Sequence, residues 1–354
     1  MLDNPIMRPL PELPPESSGS AGTPSGPLWS LEMINAPRVW NEFGVTGEGI
    51  IVGQSDSGVQ WDHPELAENY RGSTGGREAN HDYNWFDPWF GSPAPSDING
   101  HGTHTIATAV GRQVGVAPGA TWYGCVNLGR NLGNPAYYLD CMQFMLAPFP
   151  LGGDPFTDGD PALGAHVSNN SWGCPELEGC DPGTFQFAVQ ALRHAGIFFE
   201  VSAGNDGPFC ETLNSPPALY DPVFTTGAVD SSGELALFSS RGPVNVPGFS
   251  VVKPDVVAPG VAVLSAFPND SYIELDGTSM AGPHVAGVVA LMWSANPDLI
   301  GDIDTTESIL AETAQRYTGS VPNCEGAGEL PSTAFGYGIV DAYAAVQRAL
   351  EESQ

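Results

Sequence analysis

The chain is poor in positive charge. Lysine occurs once, at Lys253, and Lys plus Arg total 11 against 41 Asp plus Glu, for a formal net charge of -30. Such a surface repels phosphate backbones and anionic headgroups, which argues against nucleic-acid and membrane partners. No apolar run is long enough to span a bilayer. The opening stretch MLDNPIMRPL lacks the apolar core of a signal peptide. None of the six cysteines forms a CxxC pair, which removes zinc-ribbon chemistry, and no HExxH string exists to hold a catalytic zinc. No internal repeat is visible.

What is present suits a globular enzyme. The chain has 354 residues, 41% of them hydrophobic, enough for one large domain or two smaller ones. The acidic surplus serves solubility and also attracts calcium or basic peptide segments. An even cysteine count fits up to three disulfides and an oxidising compartment. Local closure favours Cys125 with Cys141 and places Cys174, Cys180 and Cys210 near one another; the full pairing stays open. The stretch RPLPELPPESSGSAGTPSGP, residues 8–27, is rich in Pro, Ser and Gly. Residues 1–28 are therefore expected to be a flexible tail, and 29–354 one domain.

Within that domain, apolar runs alternate with helical stretches, the pattern of an α/β fold with a mostly parallel sheet. Strands are expected over 49–55, 165–171, 196–204, 222–229 and 253–260. Helices are expected over 183–196, after Asp304 and Glu307 as a D-x-x-E cap, and over roughly 341–351. Asp56 and Asn205 fall just beyond the C-terminal ends of two such strands, the edge where open parallel sheets bind ligands.

Ser279 opens the stretch SMAGPHVAGVVALMWSA, whose apolar residues cover every face and predict a buried central helix. Pro283 is expected in its first turn, where N–H groups lack intrahelical partners. The helix N-terminus would favour negative charge near Ser279. A nucleophilic serine needs a base. Among the seven histidines only His284 follows Ser279, on the same helix, where it cannot turn back; the base must lie upstream. NGHGTHTIATAVG (99–111) offers His101 at a helix start, facing a cleft, and His104 one turn on, packed internally. Asp56, with Asp62 and Glu65 as loop alternatives, supplies the carboxylate that orients such a base. The order Asp, His, Ser on a parallel sheet is one of the known solutions to triad geometry.

The strings SDSGV, NGHGTH, SNNSWG, SAGNDG and GTSMAGPHVAG, in this order, resemble the subtilase family of serine peptidases. SWGCPELEGCDPG is similar to a bacillopeptidase-like subgroup. The resemblance implies a subtilisin-like three-layer fold: a mostly parallel central sheet flanked by helices. It implies a secreted endopeptidase with Ser279 as nucleophile, His101 as general base and then acid, Asp56 as orienting carboxylate and Asn205 as oxyanion donor. Ser171, Trp172 and Gly173 would form one wall of the specificity pocket, and Ala203 with Gly204 the other. The preferred residue before the cut would be large and apolar or aromatic. No cofactor is needed for the chemistry; calcium is implied as a structural ion. Protein or peptide substrates, a cleaved prodomain and a monomeric state complete the expectation. The first 28 residues are too short and polar to be that prodomain, as in a mature form. Gln60 stands where the family commonly has an acid, which weakens the carry-over of cation binding there. Glu200 interrupts the run IFFEVSAG and is expected to be a buried, paired acid.

Overall fold

A computed structural model describes residues 22, 24, 26–75, 78–130 and 132–352. The tail expected over 1–28 falls almost wholly outside them. Seven strands form one parallel sheet: β1 (Ile51–Asp56), β2 (Trp85–Phe86), β3 (Thr121–Val126), β4 (Val167–Asn170), β5 (Phe198–Ser202), β6 (Phe224–Val229) and β7 (Val256–Pro259), in the order β2-β3-β1-β4-β5-β6-β7. Every pairing is parallel. A separate antiparallel hairpin joins β8 (Val263–Phe267) and β9 (Ser271–Leu275). The helices are α1 (Trp29–Met33), α2 (Ala36–Phe43), α3 (His101–Val110), α4 (Pro135–Leu146), α5 (Gln186–His194), α6 (Thr278–Ala295), α7 (Ile303–Thr313) and α8 (Ala342–Glu352). The chain visits β3 on one side of β1 and then β4 on the other. A crevice therefore opens at the carboxyl ends of β1 and β4, where loops diverge to opposite sides.

The strands carry near-continuous apolar or small residues because both faces are covered. On one face α6 packs against α3, α8 and the strands β4 to β7. Nearly all of α6 is buried, from Thr278 to Trp293, as its all-round apolar sequence requires. Pro283 is not in the first turn. It is the sixth residue of the helix and has no N–H to give the Ser279 carbonyl. Ser171 Oγ donates to that carbonyl instead, at 3.0 Å, so a side chain from the β4 loop replaces the missing helical bond.

Two further expectations need correction. The cap of α7 is Asp302, which accepts from the Thr305 N–H at 3.2 Å, rather than Asp304. Asp304 and Glu307 both bind Arg193 instead, at 2.6 Å and at 2.6 and 2.8 Å, tying the end of α5 to α7. Cys125 pairs with Cys141 and Cys174 with Cys180, but Cys210 bridges to Cys324 across 114 residues instead of joining the Cys174 cluster.

Glu200 lies on β5 with no exposed surface, and its hydrogen-bonding neighbours are the Thr226 side chain and the Asn170 backbone on the flanking strands. It packs under α6 at Gly282, where a Cβ would stand 2.3 Å from Oε1; only glycine lets helix and carboxyl approach so closely. Burial drives its pKa well above the ordinary carboxylate range. The folded state therefore holds a proton that the unfolded chain releases, and stability falls as pH rises above the ordinary carboxyl value. Glu200→Gln is expected to match the parent near pH 5 and to exceed it by about 1–3 kcal/mol at pH 8, read from urea midpoints at each pH. Equal midpoints at pH 8 would show that the carboxyl costs the fold nothing.

Candidate active site

Asp56 ends β1 and is fully buried. Its Oδ1 lies 2.7 Å from His101 Nδ1 and also accepts from the Ser57 N–H at 2.6 Å. His101 is the first residue of α3, and its side chain keeps 22% exposure, enough to face the cleft. The start of α3 sits directly on the Asp56 turn. A Cβ on Gly102 would fall 2.2 Å from the Gly58 carbonyl and 3.0 Å from Asp56 Cβ, so glycine there sets the carboxylate–imidazole spacing. Burial opposes a charge on His101, but the Asp56 carboxylate, helped by Asp97, outweighs it and raises the pKa above the ordinary histidine value.

Asp97 was missed in the sequence, although D-x-N-G-H immediately before a helix is a capping signal. Its Oδ1 accepts from Ser57 Oγ (3.0 Å), Asn99 N (3.1 Å) and Gly100 N (2.8 Å), and its Oδ2 from Thr103 N (2.9 Å) and Oγ1 (2.7 Å). It thus fastens the first turn of α3 to the β1 turn. His104 packs internally, as expected. Its Nε2 faces the Val263 and Ile273 carbonyls, and burial pushes its pKa down to about 3, which keeps it neutral. Glu65 is also structural: its carboxylate accepts from Gln113 N at 2.7 Å and from the Tyr272 hydroxyl at 2.9 Å. Asp62 and Asp270 bind the Gln60 amide at 3.1 and 2.8 Å.

Ser279 is the second residue of α6. It exchanges two bonds with the β4 loop: Ser279 Oγ donates to the Ser171 carbonyl at 3.3 Å, while Ser171 Oγ donates back to Ser279 O. In this resting arrangement the hydroxyl is bonded to Ser171 and not to His101. The residue before α6, Gly277, has no capping side chain. Asn205, from the loop after β5, does that work from a distance: its Oδ1 accepts from Thr278 N and Thr278 Oγ1, both at 2.9 Å. With Oδ1 engaged twice, the amide Nδ2 is left as the donor near Ser279, whose own N–H is another unpaired helix-start donor.

A single cleft of about 460 Å³ brings together His101, Ser279 and Asn205, with Ser171, Trp172 and Gly173 on one side and Ala203 and Gly204 on the other. All nine residues singled out in the sequence therefore belong to one neighbourhood, Asp56 lying buried behind His101. Gly173 is open: a Cβ there would meet nothing closer than 3.8 Å. Two residues of the cleft gave no sequence signal. Tyr138 on α4 stacks on Trp172 with ring centroids 4.1 Å apart, and its hydroxyl donates to Glu178 at 2.9 Å. Among the described residues no group of three or more His, Cys, Asp or Glu side chains is placed to hold a metal ion.

A buried carboxylate bonded to an imidazole, in one cleft with a serine at a helix start beside a parallel sheet, is an arrangement found in α/β hydrolytic scaffolds. The sequence profile of the Subtilase family (Peptidase_S8) matches residues 47–338, and the chain belongs to that family. It is similar to bacillopeptidase F of Bacillus subtilis (strain 168), 38% identical over 91% of this chain and 22% of that protein. It is also similar to subtilisin BL of Lederbergia lenta, 33% identical over 76% of this chain and 85% of the relative. Serine protease AprX of Bacillus subtilis (strain 168) is 30% identical over 80% of this chain and 65% of the relative. The chain thus spans about a fifth of the length of bacillopeptidase F. Among the described residues no helix is long and apolar enough to cross a membrane.

Proposed function

We propose that the chain is a secreted serine endopeptidase working through an acyl-enzyme. The observation that carries this reading is the 2.7 Å Asp56–His101 bond opening onto the cleft that also holds Ser279 and Asn205. Ser279 Oγ rotates from the Ser171 carbonyl toward His101, gives its proton to Nε2 and attacks the scissile carbonyl carbon. Asp56 holds Nδ1–H and steadies the imidazolium. The oxyanion receives hydrogen bonds from Asn205 Nδ2 and the Ser279 N–H, at the positive end of α6. His101 then protonates the leaving amine, and water, activated by the same ring, releases the acyl group.

The peptide lies extended between the Ser171–Gly173 and Ala203–Gly204 segments, adding a strand through backbone bonds. The residue before the cut is large and apolar or aromatic, received by a wall of Trp172, Ala203 and Ala218. Three disulfides without a free cysteine among the described residues support an oxidising, extracellular setting. Residues 29–354 act as one peptidase unit preceded by a Pro/Ser/Gly-rich tail, monomeric and released from a prodomain. Turnover of casein against a short ester tests the substrate class: a peptidase cleaves both, whereas an esterase leaves casein intact.

The raised pKa of His101 has a kinetic consequence. The base must be neutral, so kcat/KM falls as pH drops through a value above the ordinary histidine pKa. The contribution of the net charge of -30 is long-range, and salt screens it; the Asp56 contact is short and unscreened. The acid limb is expected to move down in pH between low salt and about 1 M, yet to stay above the ordinary value. A limb indifferent to salt would show that only the contact partners matter.

A further inference from the structure

Glu178 sits on the loop closed by the Cys174–Cys180 disulfide, at the end of a short 3-10 turn, Glu176–Glu178. The loop is held to the body of the fold by the Cys174 N–H, which donates to the Pro216 carbonyl at 2.8 Å. Glu178 in turn binds two other elements. Its Oε1 accepts from Gly133 N at 2.9 Å, and its Oε2 from the Tyr138 hydroxyl at 2.9 Å. Tyr138 is the ring stacked on Trp172, so the carboxylate is fixed relative to the wall against which the substrate lies. It lines the cleft itself, half-buried, with Leu177 exposed beside it at the rim. Each oxygen accepts one bond and keeps acceptor capacity. Asp206, next to Asn205, adds a second carboxylate to the cleft, and no lysine or arginine lines it.

Resting on the peptidase reading above, we propose that Glu178 is a specificity-determining residue that selects a basic side chain, arginine or lysine, upstream of the apolar residue before the cut. The location rests on the strand proposed above: the residues before the cut lie against the Trp172–Gly173 wall, which leads directly into the Cys174–Cys180 loop that carries Glu178. A partly desolvated carboxylate held by two donors is pre-positioned, so a guanidinium meets it without further ordering of the loop. This selection is distinct from the diffuse attraction of a chain with net charge -30, because a contact pair survives salt whereas a long-range field does not.

The test is kcat/KM for matched peptides, all with one aromatic residue before the cut, carrying arginine or its neutral isostere citrulline at the second, third or fourth position before the cut, at low salt and at about 1 M. One position is expected to favour arginine by about five- to tenfold, with most of that ratio kept in high salt. In Glu178→Gln the ratio at that position is expected to fall to about one. A ratio that survives Glu178→Gln, or citrulline peptides cleaved as well as arginine peptides at all three positions, would overturn this inference while leaving the peptidase reading intact. A wild-type preference that vanishes in high salt would assign it to the general field and also overturn it, a result independent of whether the variant folds. No cleavage of any peptide would sink both.

Discussion

Ser279→Ala is expected to lower kcat by about 10⁶-fold, the size of loss seen for the corresponding change in a subtilisin, while the thermal midpoint moves little. The argument is local. Ser279 Oγ makes one bond, to the Ser171 carbonyl at 3.3 Å, a long and weak contact. The bonds that hold the start of α6 use other atoms: Ser171 Oγ on Ser279 O, Ser202 Oγ on Thr278 O at 3.0 Å, and Asn205 Oδ1 on Thr278. Removing the hydroxyl therefore deletes the proposed nucleophile and almost nothing else. Steady-state turnover of one peptide substrate, with a melt on the same material, checks both halves. Residual activity within tenfold of the parent would mean that another group attacks.

Asn205 is the second large expectation. Asn205→Ala should lower kcat by about 10²–10³-fold with little change in KM, a magnitude measured on a subtilisin and adopted here for a relative. The donor serves a charge that exists only after attack, so ground-state binding is spared. The structure adds a complication with its own control. Asn205 Oδ1 also caps α6 through Thr278, so alanine removes an anchor as well as a donor. Asn205→Asp keeps an acceptor for Thr278 but replaces the amide donor with a negative charge facing the oxyanion. It should retain the melt of the parent and lose at least as much kcat as alanine. If Asn205→Asp kept near-parent kcat, the residue would be a helix cap alone.

The strand ends were legible in the sequence because apolar runs stop abruptly at Asp56 and Asn205, and buried parallel strands write themselves as such runs. The helix after Ser279 was legible for the same reason, with apolar residues on all faces. His101 and His104 separated cleanly because small residues around both implied close packing on one side. Other features carried no local trace. The Cys210–Cys324 bridge closes 114 residues of chain, too long for proximity in sequence to suggest it. The role of Ser171 in completing α6 depends on Pro283 lying one turn deeper than helix-start rules favour. Tyr138 and Glu178 lie 40 residues apart and meet only because α4 and the disulfide loop converge on Trp172. Glu200 was read as a buried, paired acid; burial was right, and its hydrogen-bonding neighbours, Thr226 and the Asn170 backbone, come from the strands beside it rather than from its own segment. Asp97 could have been found: an acid four residues before His101 is a cap for the turn that delivers the base.

The central claim is that Asp56, His101 and Ser279 operate as one catalytic unit, and reaction with a phosphonylating serine reagent tests it most directly. The account predicts a single stoichiometric adduct, mapped by peptide mass analysis to Ser279, whose formation slows by orders of magnitude in His101→Ala. An adduct on a different serine, or peptide cleavage that persists while Ser279 stays unmodified, would contradict it.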